Sequence, residues 1–168
     1  APNRHTIHTY FNVSPESPDG RFVLFYASTA EDGQRGDVVM QRRDTGAETV
    51  LARGVTTEDA HRAACQQWLD GGRTVVYHDC RAGRWTVLAV DRETLKERVV
   101  AVVRQLGFGA PAGAQVPLYG CHWKPGEHRD LELADLQTGA VRTALRADDA
   151  AAQAPGWADQ TFGAGAPA

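Results

Sequence analysis

Lysine is almost missing from this chain. Lys96 and Lys124 are the only two among 18 basic residues, and the arginines that make up the rest are scattered along the sequence. With a formal net charge of −3 there is no basic stripe to grip a phosphate backbone, so there is no electrostatic case for nucleic acid. Cysteine is scarce as well. Cys65, Cys80 and Cys121 are odd in number, widely spaced and without a Cys-x-x-Cys pair, which excludes a disulfide framework and leaves buried free thiols as the expectation. No apolar run approaches the roughly 20 residues that cross a bilayer, so no membrane partner is expected. The N-terminal residues lack the basic, apolar and small-residue regions of a signal peptide. Also absent are Gly-x-Ser-x-Gly, a phosphate-binding glycine loop and His-Glu-x-x-His, so serine-hydrolase, nucleotide and zinc-protease chemistries have no motif here. The glycine-rich stretch from Gly107 to Gly113, which includes Phe108, reads as a loop and nothing stronger.

What is present is a repeat. Ser14-Pro15-Glu16-Ser17-Pro18-Asp19-Gly20-Arg21 runs straight into the apolar stretch Phe22-Val23-Leu24-Phe25-Tyr26. Roughly fifty residues on, Gln66-Gln67-Trp68-Leu69-Asp70-Gly71-Gly72-Arg73 runs into Thr74-Val75-Val76-Tyr77, a period typical of repeat architectures. Cys121-His122-Trp123-Lys124-Pro125-Gly126 is a third, weaker echo. The second half of each unit repeats too: Asp44-Thr45-Gly46, Asp91-Arg92-Glu93-Thr94 and Asp135-Leu136-Gln137-Thr138-Gly139 each separate two short strand-like runs. Asp and Thr bond nearby backbone in such turns and Gly supplies positive φ. Units of four short strands are the propeller pattern. The fold class is therefore all-β, with about three four-stranded antiparallel blades of a β-propeller at 1–54, 55–104 and 105–147. Between Trp123 and Leu131 there is little room for a second strand, so the third blade is expected to be shortened. Residues 148–168 turn to Ala, Gly and Pro and read as a poorly ordered tail or a connection to a missing blade.

One segment carries conflicting signals. Thr57 to Leu69 holds good helix formers behind a capping Thr, whereas the repeat register makes it the innermost strand of the second unit. The register is followed, because tertiary context overrides local propensity. Three blades do not close a ring, and open sheet edges invite pairing. A chain of this kind, opening without Met at Ala1, is expected to be part of a longer protein or to self-associate.

Chemistry-bearing residues fall on the strands nearest the expected axis. Alternation through Arg4–Val13 puts His8, Tyr10 and Asn12 on one face and Ile7, Phe11 and Val13 on the other, giving a channel-lining strand or a solvated face. The second unit holds His61, Arg62, Cys65 and His78; the third holds Tyr119, Cys121, His122, His128 and Arg129. No pair has structural zinc spacing, so a metal site would have to be assembled from different blades. The alternative is that these imidazoles are simply hydrogen-bonded or solvated.

The Ser-Pro-x-x-Ser-Pro-Asp-Gly-Arg turn ahead of an apolar strand resembles the blades of TolB-like propellers. His5-Thr6-Ile7-His8-Thr9-Tyr10-Phe11-Asn12, Glu58-Asp59-Ala60-His61-Arg62 and Tyr119-Gly120-Cys121-His122-Trp123 resemble the propeller polysaccharide lyases related to oligogalacturonate lyase and the ulvan lyases. That resemblance covers residues 1 to 146 or so, three blades of about seven. It implies β-elimination on a uronate-containing oligosaccharide. The catalytic set it implies is His61, His78, Tyr119 and Arg129, with His8, Tyr10, Asn12 and Arg62 binding substrate. It also implies a divalent metal held mainly by residues outside this chain. A non-catalytic TolB-like binding or scaffolding module is the alternative, and the propeller half of a serine peptidase a third. Whether the chain works in the cytoplasm or after export does not follow from its residues.

Overall fold

A computed structural model describes residues 3–120, 130–153 and 156. Twelve strands form three four-stranded antiparallel sheets. The first holds β1 (His5–Ile7), β2 (Phe22–Ser28), β3 (Arg35–Arg42) and β4 (Glu48–Thr56); the second holds β5 (Gln67–Leu69), β6 (Thr74–Arg81), β7 (Arg84–Asp91) and β8 (Glu97–Val102). The third holds β9 (Gln105–Leu106), β10 (Gln115–Tyr119), β11 (Leu131–Asp135) and β12 (Val141–Leu145). Each is a simple meander in which sequence neighbours are spatial neighbours. This is the blade pattern that the repeat predicts.

The turns explain the motif. In the first unit, the Phe22 amide donates to Ser17 Oγ at 3.0 Å, and the Ser17 hydroxyl donates to Asp19 Oδ1 at 2.7 Å. Asp19 also accepts the Arg21 amide at 3.1 Å, and Gly20 supplies the positive φ of 68° that turns the chain. In the second unit the corresponding Gly72 has φ 85°, and a Cβ there would lie 2.7 Å from Cδ of Pro18. The two turns therefore interlock, proline of one against glycine of the next.

Alternation along β6 divides the core in two. Val75 and Tyr77 join Leu24, Tyr26, Val38, Trp68 and Leu88 between the first and second sheets. Val76 faces the other way and packs with Leu69, Val87, Leu106, Val116 and Leu118 between the second and third. Trp68 is buried, and its indole N–H donates to the Pro15 carbonyl of the first unit at 2.9 Å, as a buried indole must find a partner. Polar ties cross the same seams: Arg92 pairs with Asp19 at 2.9 Å, and the Gln137 amide donates to Asp70 at 3.0 Å.

Three segments add detail to these expectations. Thr57–Leu69 is not a helix, as the register indicates, but only Gln67–Leu69 of it is strand. The remainder is tight turn, with Ala63 and Cys65 at φ 50° and 51°, where a right-handed helix cannot continue. The third sheet has shorter strands, as expected, and keeps all four, its second strand being Gln115–Tyr119, upstream of the Cys121 echo. Finally, Ala147–Gln153 forms a short helix, α1, which takes in the first residues of the Ala-, Gly- and Pro-rich segment.

Candidate functional site

The innermost edges of the three sheets each depart from regular strand, and the departures meet. In the first sheet β1 stops at Ile7, and the inner edge resumes at Pro15 and Glu16, where the Leu24 amide donates to the Pro15 carbonyl and Glu16 bridges to Val23. Residues 8–13 form an excursion between these points. Thr9 sits at φ 101°, buried, and its hydroxyl donates to the Arg62 carbonyl at 3.0 Å. The strict alternation expected for Arg4–Val13 therefore fails: His8, Tyr10 and Asn12 do not share one strand face, and Phe11 is 83% exposed instead of lying in the core. A contact spanning 53 residues of sequence overrides the local pattern. His8 and Asn12 are exposed, and Tyr10 is half-buried.

In the second sheet, the segment leading into β5 carries His61 and Arg62. Asp59 shapes it by accepting the His61 amide at 2.7 Å, and the Arg62 amide donates to the Asp59 carbonyl at 3.1 Å. The His61 imidazole is exposed and meets Tyr10 edge-on, with ring centroids 5.5 Å apart. Arg62 is largely enclosed, its side chain 23% exposed, and lies 3.4 Å from the buried carboxylate of Glu58. In the third sheet, Tyr119 ends β10 opposite Gln105, half-buried. Burial raises its phenol above the ordinary range, the nearby Cys65 and Glu58 add to that, and a hydrogen bond with Arg62 pulls the other way. The phenol therefore stays protonated at neutral pH. Phe108, just beyond β9, stacks nearly parallel to Tyr10, at 6.4 Å and an interplanar angle of 7°. Three consecutive sheets thus bring Tyr10, His61, Arg62, Phe108 and Tyr119 to one neighbourhood.

His78 is placed differently. It is only 2% exposed, its Nδ1 accepts the Leu106 amide at 3.2 Å, and its ring meets Trp85 edge-on at 5.2 Å. Burial, helped by the charge of Arg62, holds its pKa at about 3, so the imidazole is neutral and ties the second sheet to the third. Cys65 is buried as the sequence predicts for a free thiol, and burial pushes it up to about 12. Cys80 is a half-buried free thiol. Arg129, together with Cys121, His122 and His128, lies outside the described residues. Among the described residues no three His, Cys, Asp or Glu side chains group as a metal site would need. None of the described helices is long and apolar enough to cross a membrane. Sequence reasoning missed Phe108 and misassigned Phe11. The glycines flanking Phe108 hide any strand alternation, and Phe11 fits an apolar stripe that the chain does not form.

No family model and no curated protein matches this sequence. Solved structures do. The oligogalacturonate lyase of Vibrio parahaemolyticus is 16% identical, with 84% of this chain and 41% of that one covered and a TM-score of 0.57. TolB from Acinetobacter baumannii is 14% identical, with 78% and 31% covered and a TM-score of 0.55. The β-propeller domain of the Trilobed protease from Pyrococcus furiosus is 12% identical, with 73% and 38% covered and a TM-score of 0.55. The chain spans between 31% and 41% of the length of these three structures. Likeness at these identities concerns the fold. The chain has the fold of three consecutive blades of a TolB-like β-propeller, with the sheets open and not closed into a ring.

Proposed function

We propose that this chain contributes the binding face of a glycan-acting propeller that cleaves uronate-containing oligosaccharides by β-elimination. The observation that carries the reading is the contact of the exposed His61 with Tyr10 across two sheets, beside Arg62, whose charge reaches the Tyr119 phenol of the third. In such a reaction a base removes the proton α to the uronate carboxylate, the released electron pair forms the C4–C5 double bond, and the C4–oxygen bond breaks. His61, solvent-accessible and not committed to the core, is suited to take the proton. Tyr119, a phenol kept protonated by burial, is suited to give one to the departing oxygen. Charge that builds on the carboxylate needs a fixed cation, a role proposed for Arg129 and open to Arg62 as well. Tyr10 borders the same space, whereas His8 and Asn12 would contact a longer substrate. His78 acts from behind, holding the second and third sheets in register.

The likeness to an oligogalacturonate lyase supports the substrate class, and the chemistry belongs to the whole protein. The test is the ultraviolet absorbance of the unsaturated uronate product, measured with the intact protein. His61→Ala and Tyr119→Phe should each lower the rate by about a hundredfold or more, the usual scale for losing a general acid or base. Undiminished rates in both variants would refute these roles.

The second reading is a non-catalytic binding module. It is favoured by the burial of His78, which removes one imidazole from any substrate's reach, and by the equally good match to TolB. Binding of uronate oligosaccharides without any unsaturated product would select it.

A further inference from the structure

Exposed large apolar side chains among the described residues are aliphatic, with one exception. Leu95, Val99 and Val102 border the outer edge of the second sheet, and Leu131, Val141 and Leu145 lie on the outer strands of the third. Phe11 is the exception: it is aromatic, it sits on the inner excursion of residues 8–13, and at 83% exposure it is the most open of them all. Nothing in the fold requires an aromatic ring there, since the ring packs into neither core.

Phe11 is not isolated. Its ring lies 4.5 Å from that of Tyr10 at 43°, and Tyr10 in turn lies nearly parallel to Phe108. Phe108 packs against the core between the second and third sheets, which fixes its plane. The excursion is itself anchored by the buried Thr9 hydroxyl on the Arg62 carbonyl. The result is a run of three rings from two different sheets, bordered by the His61 imidazole.

We propose that Tyr10, Phe11 and Phe108 form an aromatic platform for the apolar face of a pyranose ring, the ring that flanks the scissile uronate. The choice of occupant rests on the reading of this region as a glycan site. The chemistry is specific to a sugar. An aromatic face carries negative quadrupole charge, and one face of a pyranose presents a set of polarised C–H groups to it. The hydroxyls and carboxylate lie around the rim of the sugar, where the His61 imidazole borders the platform. A flat aliphatic patch would bind apolar surface without this orientation; a tilted pair of rings beside an imidazole suits an amphipathic ring.

Saturation-transfer NMR on the intact protein, with trigalacturonate and the neutral trisaccharide maltotriose as probes, tests the proposal. Saturation should pass from the aromatic protons to the C–H protons on one face of a ring in both probes. Phe11→Ala should weaken trigalacturonate binding roughly two- to tenfold, the scale of one aromatic stack, and Phe11→Tyr should restore it. Phe108→Ala should do the same; because Phe108 also packs on the core, Phe11 decides if that variant fails to fold. Unchanged affinity in Phe11→Ala, or no transfer to either probe, overturns the platform. Transfer to both probes without unsaturated product leaves the platform standing and removes the lyase reading. Turnover with unchanged KM in Phe11→Ala does the reverse.

Discussion

His78 shows how a single side chain can be read in two ways until its neighbours are known. In the sequence it is an imidazole on a strand close to other ionisable groups. In the structure its Nδ1 accepts the Leu106 amide inside the core, and only the neutral ring can do that. The unfolded chain binds a proton at the ordinary histidine value near 6.5, whereas the folded protein holds out to about 3. A group depressed in this way contributes stability that is present above the unfolded value and is lost as pH falls through the folded one. The free energy of unfolding should therefore drop between about pH 6.5 and 3. His78→Gln, which retains an acceptor but does not titrate, should flatten that slope in urea titrations run at successive pH values; an identical slope would show that His78 is not the group responsible. Asp19 and Asp91 act lower down. Both are held at about 2, Asp19 first by the Ser17 hydroxyl and Asp91 first by the Thr94 amide, so their contribution fades only below the ordinary aspartate range.

Among the elements, the hairpin turns between third and fourth strands were the most legible, because their signals are local. The amides of Gly46, Leu95 and Gly139 each donate back to a carbonyl four residues earlier, at 2.8 Å, 2.9 Å and 2.9 Å. All three positions have positive φ, but only the second is not glycine: Leu95 is held at 56°. Its side chain is exposed, so little packing compensates the strain. Leu95→Gly should stabilise the protein by about 0.5–1 kcal/mol, read as a higher urea midpoint at unchanged slope. A lower midpoint would mean that the leucine side chain has an unrecognised contact. The elements that were not legible depend on distant partners. Nothing near Thr9 in sequence announces that its hydroxyl will be claimed by Arg62, which is what ends β1 and exposes Phe11. The innermost strand of the third sheet is Gln105–Leu106, too short for any alternation to register, whereas Cys121-His122-Trp123 carries the more prominent echo in the sequence. The candidate site was half visible for the same reason. His61, Arg62 and Tyr119 stand out by chemical type, but Phe108 gains meaning only from the ring that lies across from it.

At the scale of the whole molecule, the second sheet differs from the other two in having a core on each face. β5, β6 and β7 each serve two neighbours at once, and β6 does so residue by residue. Repeat architectures of this type derive their stability from such nearest-neighbour interfaces. Pro18 and Gly72 meet closely across the first interface: an added methyl would come within 2.7 Å of the proline ring, at a backbone conformation with φ 85° that already disfavours alanine. Gly72→Ala should cost roughly 1–3 kcal/mol, as overpacking does elsewhere, and a thermal midpoint equal to that of the parent would contradict the fit. The cost need not stay where the methyl is placed. Gly72 follows β5 at one end, and the segment bearing His61 precedes β5 at the other. A shift of β5 at that turn would carry the His61 segment with it and alter the contact of His61 with Tyr10 of the first sheet. The spacing of the rings proposed to hold a sugar would thus depend on a proline and a glycine that lie outside that set of rings.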